Sequence, residues 1–384
     1  MTHLPALAVD HINSVPIRLA FRLSVAHSLA SRSFSDNVCT VIRSDDGLCG
    51  FGECIPRDYV TGENLDTVMS ALEFFTAESA GMVFEAPDNL IRFLSDLGET
   101  SIADRNPSAL CSLELALLDL AGKHWNLSLA RLIGFHETID RLRYSMVVPL
   151  IPLESYPVFL EQARLYGFGH VKVKVGSSNT GKRVRAVRDA LGPGIEIRID
   201  ANSSWNRENA PGIFHEMADL GVTAIEQPLA ADDLEGMADL RRISDIPIVL
   251  DESIHSRRDV ERAASIGACD IVNIRISKCG GILGSLKVIG TATEHGLRTQ
   301  LGAQVGESCI LSAAGACLAK GTPSFLWLEG CFGKHLLCDD LCTSDFRFGP
   351  GGLITPPDAP GLGVPVDHHL IDDAHLCFTE EAAS

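Results

Sequence analysis

Three acidic residues stand at the ends of successive apolar stretches, in Asp200-Ala201-Asn202, Glu226-Gln227-Pro228 and Asp251-Glu252-Ser253. If these stretches are parallel strands of a barrel, their ends meet at one face, and three carboxylates repel one another unless a cation lies among them. Oxygen ligands without histidine or cysteine suit Mg²⁺. We therefore predict that Asp200, Glu226 and Asp251 bind Mg²⁺. Taken singly, each acid could instead cap the helix that follows it.

Two lysines, Lys172 and Lys174, alternate with valines in residues 171–175, so both point to the same face of a strand. On an exposed strand this face would be solvated, but in a barrel it faces the lumen and the acids. A partly desolvated lysine beside another cation has a depressed pKa and can act as a base. Such a base would remove the proton next to a substrate carboxylate, and the metal would stabilise the enediolate. The alternative, that the lysines only neutralise the buried acids, does not exclude catalysis.

The elements that would position these residues follow a regular β-α rhythm. Alternating apolar and polar residues recur at 195–200 and 272–277. Eight candidate strands, separated by seven helical stretches, lie at 143–147, 170–175, 195–200, 222–226, 246–251, 270–277, 297–302 and 325–329. A rhythm sustained over about 190 residues favours a closed barrel over an open doubly wound sheet.

A chain of 384 residues leaves room for a second domain beside the barrel. Residues 15–55 alternate as strands and residues 65–132 show helical periodicity, which indicates a separate α+β lobe. The end of the chain is rich in glycine and proline and too irregular for another β-α unit. We predict an α+β domain at 1–138, a (β/α)₇β barrel at 139–345, and a C-terminal segment at 346–384 that returns to the first domain.

Composition excludes several classes of protein. A net charge of −18 repels phosphate backbones, so we expect no nucleic-acid partner. No apolar run reaches the length of a membrane span, and the first residues lack a basic region before an apolar core, so we expect neither membrane insertion nor secretion. The 12 cysteines form no Cys-x-x-Cys motif, and the closest pair, Cys338 and Cys342, has no nearby ligand set. This spacing favours reduced thiols in a cytoplasmic protein over disulfides or zinc.

In this order, Lys172-x-Lys174 and the three acidic motifs resemble the enolase superfamily, and specifically its muconate-lactonising subgroup. The resemblance covers nearly the whole chain, with the first lobe similar to the capping domain of the family and the barrel similar to its catalytic domain. It implies that Mg²⁺ is bound by the three acids, that Lys174 is the acid/base, and that Lys172 is its electrostatic neighbour.

The same resemblance implies that loops of the capping domain close over the substrate. Here these loops would lie at about 21–31 and 56–62. Arg57 and Tyr59 are therefore candidates for substrate specificity, or alternatively plain residues of a surface loop.

The sequence departs from the family pattern on the sixth barrel strand, where relatives commonly carry a second lysine opposite the first. If the strand runs through 270–277, its side chains alternate between the two faces of the sheet. Arg275 then points to the lumen, on the same face as Asn273 and Ser277, whereas Lys278 points to the opposite, apolar face. An arginine stays protonated and is a poor proton shuttle, so this phase favours chemistry that one base can complete. If Lys278 lies past the strand end and curls inward, a two-base mechanism returns.

Two glutamates follow the last strands. Glu329, in Trp327-Leu328-Glu329-Gly330, resembles the glutamate that muconate-lactonising relatives carry at the end of the eighth strand. Dipeptide epimerases carry an Asp-x-Asp pair there to hold an ammonium group, and its place is taken here by Leu328 and Gly330, which disfavours a dipeptide substrate. Glu307 resembles the usual acid after the seventh strand, and we expect it to pair with Arg275 or to contact substrate.

Together these features predict a Mg²⁺-dependent enzyme that abstracts the α-proton of a small-molecule carboxylate and completes a cycloisomerisation or β-elimination. A racemase or epimerase of an acylated or cyclic amino acid is the alternative within the same fold. A metal-free Schiff-base aldolase using Lys174, or a binding relative without catalysis, is the alternative outside it. We further expect a homo-oligomer.

Overall fold

The computed structural model of the chain describes residues 4–27, 30–136 and 139–382. Its first part contains an antiparallel sheet of four strands in the order β3-β2-β1-β4. The strands are β1 (Leu7–His27), β2 (Ala30–Ser44), β3 (Cys49–Cys54) and β4 (Val83–Phe84). The helices of this part are α1 (Asp58–Thr61), α2 (Leu65–Ser79), α3 (Pro87–Leu97), α4 (Ser101–Arg105), α5 (Pro107–Trp125) and α6 (Leu129–Ile133).

One predicted loop of this domain has a different structure. Strands β1 and β2 pair as far as His27 and Ala30, so the segment predicted as a loop at 21–31 belongs to a long hairpin. Residues 28 and 29 of that segment lie outside the described residues. The other predicted loop, 56–62, contains the short helix α1.

The second part is a barrel of parallel strands. Its sheet has the order β12-β11-β10-β9-β8-β7-β6. After a short strand β5 (Leu142–Arg143), the ring contains β6 (Met146–Val148), β7 (His170–Lys174), β8 (Glu196–Asp200), β9 (Ala224–Glu226), β10 (Ile248–Leu250), β11 (Ile271–Ile274) and β12 (Arg298–Leu301). Leu328 forms parallel bridges to both Leu301 and Tyr144, so the last predicted strand closes the ring.

Seven helices alternate with the barrel strands, as predicted, and confirm the (β/α)₇β fold with an α+β capping domain. They are α7 (Tyr156–Tyr166), α8 (Thr180–Leu191), α9 (Ala210–Asp219), α10 (Leu234–Ile243), α11 (Arg257–Ile266), α12 (Gly281–Glu294) and α13 (Cys309–Lys320). In residues 171–175 every second side chain points to the same face of the strand. The three valines are at most 1% exposed and pack outward against the helices, while the two lysines point into the lumen. Among the described residues, no helix is long and apolar enough to cross a membrane.

Helix α5 lies between the capping sheet and the barrel. The stripe of leucines expected from its periodicity is buried, but so is nearly every other residue of the helix, because α5 packs on β3 on one side and α12 on the other. Two glycines of β3 permit this close contact. A Cβ at Gly52 would lie 1.8 Å from Ser112 O, and one at Gly50 would lie 2.2 Å from Ala116 O.

Buried carboxylates of the capping domain bind the amino ends of two barrel helices. Glu114 accepts hydrogen bonds from the backbone N–H groups of Ile282 (2.5 Å) and Leu283 (3.2 Å) at the start of α12. Glu53 accepts from Ser308 N at 3.1 Å, beside the start of α13. Because the first N–H groups of a helix have no partner within it, these acids satisfy them and orient the two domains.

The chain ends with α14 (Gly333–Leu336), β13 (Leu353–Ile354) and α15 (His368–Ala382). Strand β13 pairs with β5, and α15 packs on β1, where His375 Nδ1 lies 2.7 Å from Pro16 O. The packing of α15 places this helix on the first domain, whereas β13 pairs with a strand of the second part. The boundaries at 138 and 345 stay predictions.

The first prediction concerns Glu114, whose carboxyl pKa is raised to about 8 by burial. The folded chain holds this proton where the unfolded chain, with a pKa near 4.5, has lost it. The free energy of unfolding therefore falls as pH rises through that window, by up to about 1.4 kcal/mol per pH unit. We expect Glu114→Gln to show a shallower fall than the wild type in urea unfolding. The exposed Glu261→Gln on α11 is the control, and equal slopes for all three proteins would contradict the prediction.

Candidate active site

The carboxylates predicted to bind metal lie at the carboxyl ends of three adjacent barrel strands. Asp200 ends β8 and Glu226 ends β9, and the two residues are paired in register. Asp251 follows β10 directly. All three are at most 1% exposed. Burying three acids side by side is costly unless positive charge lies among them.

The two lysines of β7 supply part of that positive charge. Lys174 Nζ donates to Asp200 Oδ2 over 3.0 Å. Lys172 Nζ lies 3.2 Å from Glu226 Oε1 and 2.5 Å from Glu329 Oε2. It also lies 3.4 Å from Asp200 Oδ2. The structure therefore brings both predicted lysines to the predicted metal ligands.

Lys278 follows the alternative prediction, in which it lies past the strand end and turns inward, and not the apolar face that alternation favoured. Strand β11 ends at Ile274 and does not run to Ser277, so the alternation of faces does not extend to Lys278. The chain turns instead, and Lys278 becomes fully buried, with Nζ 2.9 Å from Asp251 Oδ1 and 2.7 Å from its backbone oxygen. Arg275 also reaches this carboxylate, through a hydrogen bond from Nη2 to Asp251 Oδ2. Both cations lie at the site, and neither points outward.

The environments of the lysines differ. Burial lowers the pKa of Lys278 to about 8, and the nearby Arg275 acts in the same direction. Burial also acts to lower the pKa of Lys172, but Glu226, Glu329 and Asp200 outweigh it and raise that pKa above its usual value. The depressed pKa expected for the lysine pair is therefore wrong for Lys172, which stays charged. The depressed pKa belongs to Lys278.

The acids respond to the same charges. Burial acts to raise the pKa of Asp200, yet Lys174 and Lys172 hold it below its usual range. For Glu226, burial is the larger effect and the pKa is raised.

In the described part of the chain, the ligand atoms of the three acids are not all within 4.8 Å of one another, and lysine contacts lie between them. Their chemistry fits Mg²⁺, because they are three buried carboxylates on neighbouring strand ends without sulfur or imidazole.

A network below the acids was not predicted from the sequence. Arg198 is 1% exposed, and its Nη1 donates to Glu329 Oε1 (2.9 Å) and Gln300 Oε1 (2.7 Å). Its guanidinium lies 4.4 Å from the ring centroid of Trp327. Both oxygens of Glu329, which was predicted to bind substrate, contact Lys172 or Arg198. Glu329 therefore orients Lys172.

Amides complete the surroundings of Glu226. Gln300 Nε2 donates to its Oε2 over 2.8 Å, and Asn273 Nδ2 donates to its Oε1 over 3.2 Å. The sequence could have indicated Asn273 and Gln300, because the alternation of side chains along β11 and β12 places both on the face that lines the lumen, where the acids lie.

Glu307 does not pair with Arg275, which binds Asp251 instead. Its Oε1 accepts from the backbone of Gln304 over 2.7 Å. Burial raises the pKa of Glu307 to about 8. The predicted ion pair is absent from the contacts of the described residues, and a role in contacting substrate stays a prediction.

The two candidates of the capping domain have different surroundings. Arg57 is 5% exposed and donates to Ser35 Oγ (2.6 Å) and to the backbone oxygen of Val305 (3.2 Å), so it joins β2 to the loop after β12. Burial lowers its pKa to about 10. The loop was expected to be exposed, but Arg57 is a buried link between the domains. Tyr59 is partly exposed, with the guanidinium of Arg32 5.9 Å from its ring centroid.

Comparison with protein families matches both parts of the chain. Residues 12–134 match the N-terminal domain of mandelate racemase and muconate lactonizing enzyme. Residues 158–370 match the domain described as enolase C-terminal domain-like. The two matches cover most of the capping domain and the barrel from residue 158 onward, including the site residues between 172 and 329, while β6 lies between the two matches.

Individual relatives span nearly the whole chain. The N-succinyl-L-Arg/Lys racemase of Bacillus cereus is 28% identical, covering 96% of this chain and 98% of its own. The crystal structure of that racemase superposes with a TM-score of 0.86 at 27% identity, over 96% of this chain and 98% of the other. The o-succinylbenzoate synthase of Bacillus subtilis is 29% identical, covering 97% of this chain and 96% of its own.

A dipeptide epimerase provides a further comparison. The L-Lys-D/L-Arg epimerase of Methylococcus capsulatus is 30% identical, covering 90% of this chain and 96% of its own. A dipeptide epimerase of that organism, crystallised with Mg and the dipeptide L-Arg-D-Lys, has a TM-score of 0.83 at 26% identity, over 93% of this chain and 99% of the other.

The second prediction tests the buried network. Arg198→Met removes one of the two cations that contact Glu329 and the donor to Gln300 Oε1, so we expect a loss of about 3–5 kcal/mol in the free energy of unfolding. The control is Arg185→Met, because Arg185 pairs with Glu216 at the surface, where both side chains are exposed. That change should cost at most about 1 kcal/mol. Equal losses in the two variants, measured by urea unfolding, would show that the network does not stabilise the fold.

Proposed function

The chain belongs to the enolase superfamily, in its muconate-lactonising subgroup, and on this premise we propose that it is a Mg²⁺-dependent racemase of N-acylated amino acids. The observation that carries the proposal is the position of Lys174 and Lys278. Lys174 ends the second strand of the eight-membered ring and Lys278 follows the sixth, so the two amines approach the acids from opposite sides. Each contacts a different acid, Asp200 or Asp251.

This arrangement supports proton transfer with inversion. One amine, when neutral, takes the proton from the α-carbon, and the electron pair of the C–H bond moves into the carboxylate to give an enediolate. The opposite ammonium then delivers its proton to the other face of that carbon. The lowered pKa of Lys278, near 8, allows it to hold either protonation state near neutral pH.

Mg²⁺ would be held by Asp200, Glu226 and Asp251, and when bound it supplies the positive charge that stabilises the developing enediolate. Lys172 contributes a second fixed charge, since its carboxylate neighbours keep it protonated. Glu329 holds the ammonium of Lys172 in place at 2.5 Å. Lys172 is thus better suited to neutralising the substrate carboxylate than to removing a proton.

The preference for an N-acylated substrate rests on the residues around the eighth strand. Leu328 and Gly330 offer no carboxylate for a free ammonium group, and Glu329 between them is engaged by Lys172 and Arg198. Acylation removes the positive charge of the amino group, so no such partner is needed. The name of one relative, the racemase that acts on N-succinyl-Arg/Lys, agrees with this substrate class.

Cycloisomerisation or β-elimination, which the sequence favoured, begins with the same proton abstraction. That preference depended on a lumen without a second lysine; Lys278 at Asp251 adds the two-base reaction, and relatives of more than one reaction class, a racemase and an o-succinylbenzoate synthase, match the chain. The two reactions differ from racemisation in needing only one base.

The third prediction separates these reactions with single-lysine variants, assayed with N-succinyl amino acids in D₂O and Mg²⁺. We expect Lys278→Ala and Lys174→Ala each to lose racemisation by about 10²–10⁴-fold. Each variant should still exchange the α-hydrogen of one enantiomer, and the two variants should exchange opposite enantiomers, because the remaining lysine serves one face. Proton NMR measures the exchange, and polarimetry measures the racemisation.

The control for this experiment is the exposed Arg185→Ala, which should match the wild type. A chelator should abolish both exchange and racemisation, and added Mg²⁺ should restore them. Racemisation at the wild-type rate in Lys278→Ala would contradict the two-base proposal. An undiminished elimination or cyclisation product in that variant would favour the one-base reaction instead.

A further inference from the structure

A second group of possible metal ligands lies away from the residues of the proposed active site. Cys309 is the first residue of α13, and Asp340 and Cys342 lie in the segment that follows α14. All three are buried, with exposed fractions of 1%, 4% and 1%. The two sulfur atoms and a carboxylate oxygen lie within 4.8 Å of one another. The fold thus brings together side chains that are 33 residues apart at most in the chain.

The carboxylate of Asp340 has one satisfied and one unsatisfied oxygen. Oδ1 accepts from the backbone N–H groups of Cys309 (2.8 Å) and Leu341 (2.7 Å). Oδ2 is buried and has no hydrogen-bond partner in the described part of the chain. A buried acceptor without a partner costs about 1–3 kcal/mol. A cation next to this oxygen would remove that cost.

The surroundings leave space for this carboxylate. A Cβ at Gly333 would lie 2.7 Å from Asp340 Oδ2, so a larger residue there would displace the oxygen. The thiol of Cys342 makes only weak sulfur contacts: Sγ lies 3.4 Å from the backbone oxygen of Ser344 and 3.9 Å from its Oγ, and it also contacts the thiol of Cys309. Neither sulfur is in a disulfide. The three ligand atoms are therefore available to a common cation.

We propose that Cys309, Cys342 and Asp340 bind Zn²⁺, with a water molecule in the fourth position. Two thiolates and a carboxylate suit Zn²⁺, whereas Mg²⁺ prefers oxygen ligands throughout, so the two sites select different metals. Binding requires both thiols to release their protons. The expectation from spacing, that the cysteines form no ligand set, considered Cys338 with Cys342 and missed a partner in a distant helix.

The position of this zinc site gives it a structural role. Cys309 begins the helix that follows Glu307, and Cys342 belongs to the segment that reaches the capping domain, where Cys338 N donates to Ala20 O over 2.9 Å. A metal bound to both segments would connect helix α13 of the barrel to the segment 338–342, which contacts β1. This inference does not depend on the proposed reaction.

The fourth prediction is tested by titrating reduced, metal-free full-length protein with Co²⁺, a spectroscopic substitute for Zn²⁺. We expect one equivalent to produce the charge-transfer absorption of a cobalt–thiolate bond, and Zn²⁺ to displace it. Cys309→Ser and Cys342→Ser should each weaken or remove this band. Because oxygen ligands give no thiolate absorption, the carboxylates of Asp200, Glu226 and Asp251 cannot produce it.

The matched control is Cys338→Ser, since Cys338 is exposed and only four residues from Cys342. This variant should keep the full absorption. Circular dichroism identifies a variant that fails to fold, and Asp340→Asn, which keeps both thiols, provides a second test by lowering the affinity for Co²⁺ at least tenfold. Thermal unfolding should show that Zn²⁺ raises the Tm of the wild type but not of Cys342→Ser. Absence of a thiolate band in the wild type, or a band of undiminished intensity in Cys342→Ser, would overturn the proposal.

Discussion

The pairing of buried acids with buried cations is the interaction on which the rest of the barrel depends. Asp200, Glu226 and Asp251 are held in a lumen with almost no access to water, where an unpaired charge costs several kcal/mol. Strand register places Lys174 against Asp200. Lys172 contacts Glu226, and Arg275, just past the end of β11, contacts Asp251. The same constraint makes the site reactive, because charges arranged in a dry lumen act strongly on a substrate that replaces some of their contacts.

Buried acids also lie where the two domains meet, but there their partners are backbone N–H groups and not cations. Glu53 and Glu114 of the capping domain are buried, and each accepts hydrogen bonds from the first N–H groups of a barrel helix. Their carboxyl pKa values are raised by burial to about 7 and about 8. Arg57 adds a buried link from the capping sheet to the loop after β12. Such contacts hold the capping domain on the amino ends of the barrel helices α12 and α13.

Local pattern was sufficient to predict the barrel, the three acids and Lys172 with Lys174, because side chains alternate along short strands and because acids at parallel strand ends converge. The same pattern did not predict where strand β11 ends. Extending β11 beyond Ile274 reversed the expected direction of Lys278. The glycines at 280 and 281, which adopt φ values of 79° and 96°, were the available sign that the chain turns there.

Contacts between distant segments were beyond sequence reasoning. Nothing local in the sequence indicated that Glu329 would use both oxygens on Arg198 and Lys172. The cluster of Cys309 with Asp340 and Cys342 is of the same kind, since only the packing of α13 against the later segment creates it. A crystal structure with Mg²⁺ and a bound N-succinyl amino acid would locate both amines relative to the substrate. We expect the α-carbon to lie between Lys174 Nζ and Lys278 Nζ. If Lys174 alone approached the α-carbon and Lys278 remained bound to Asp251, racemisation by two bases would be ruled out.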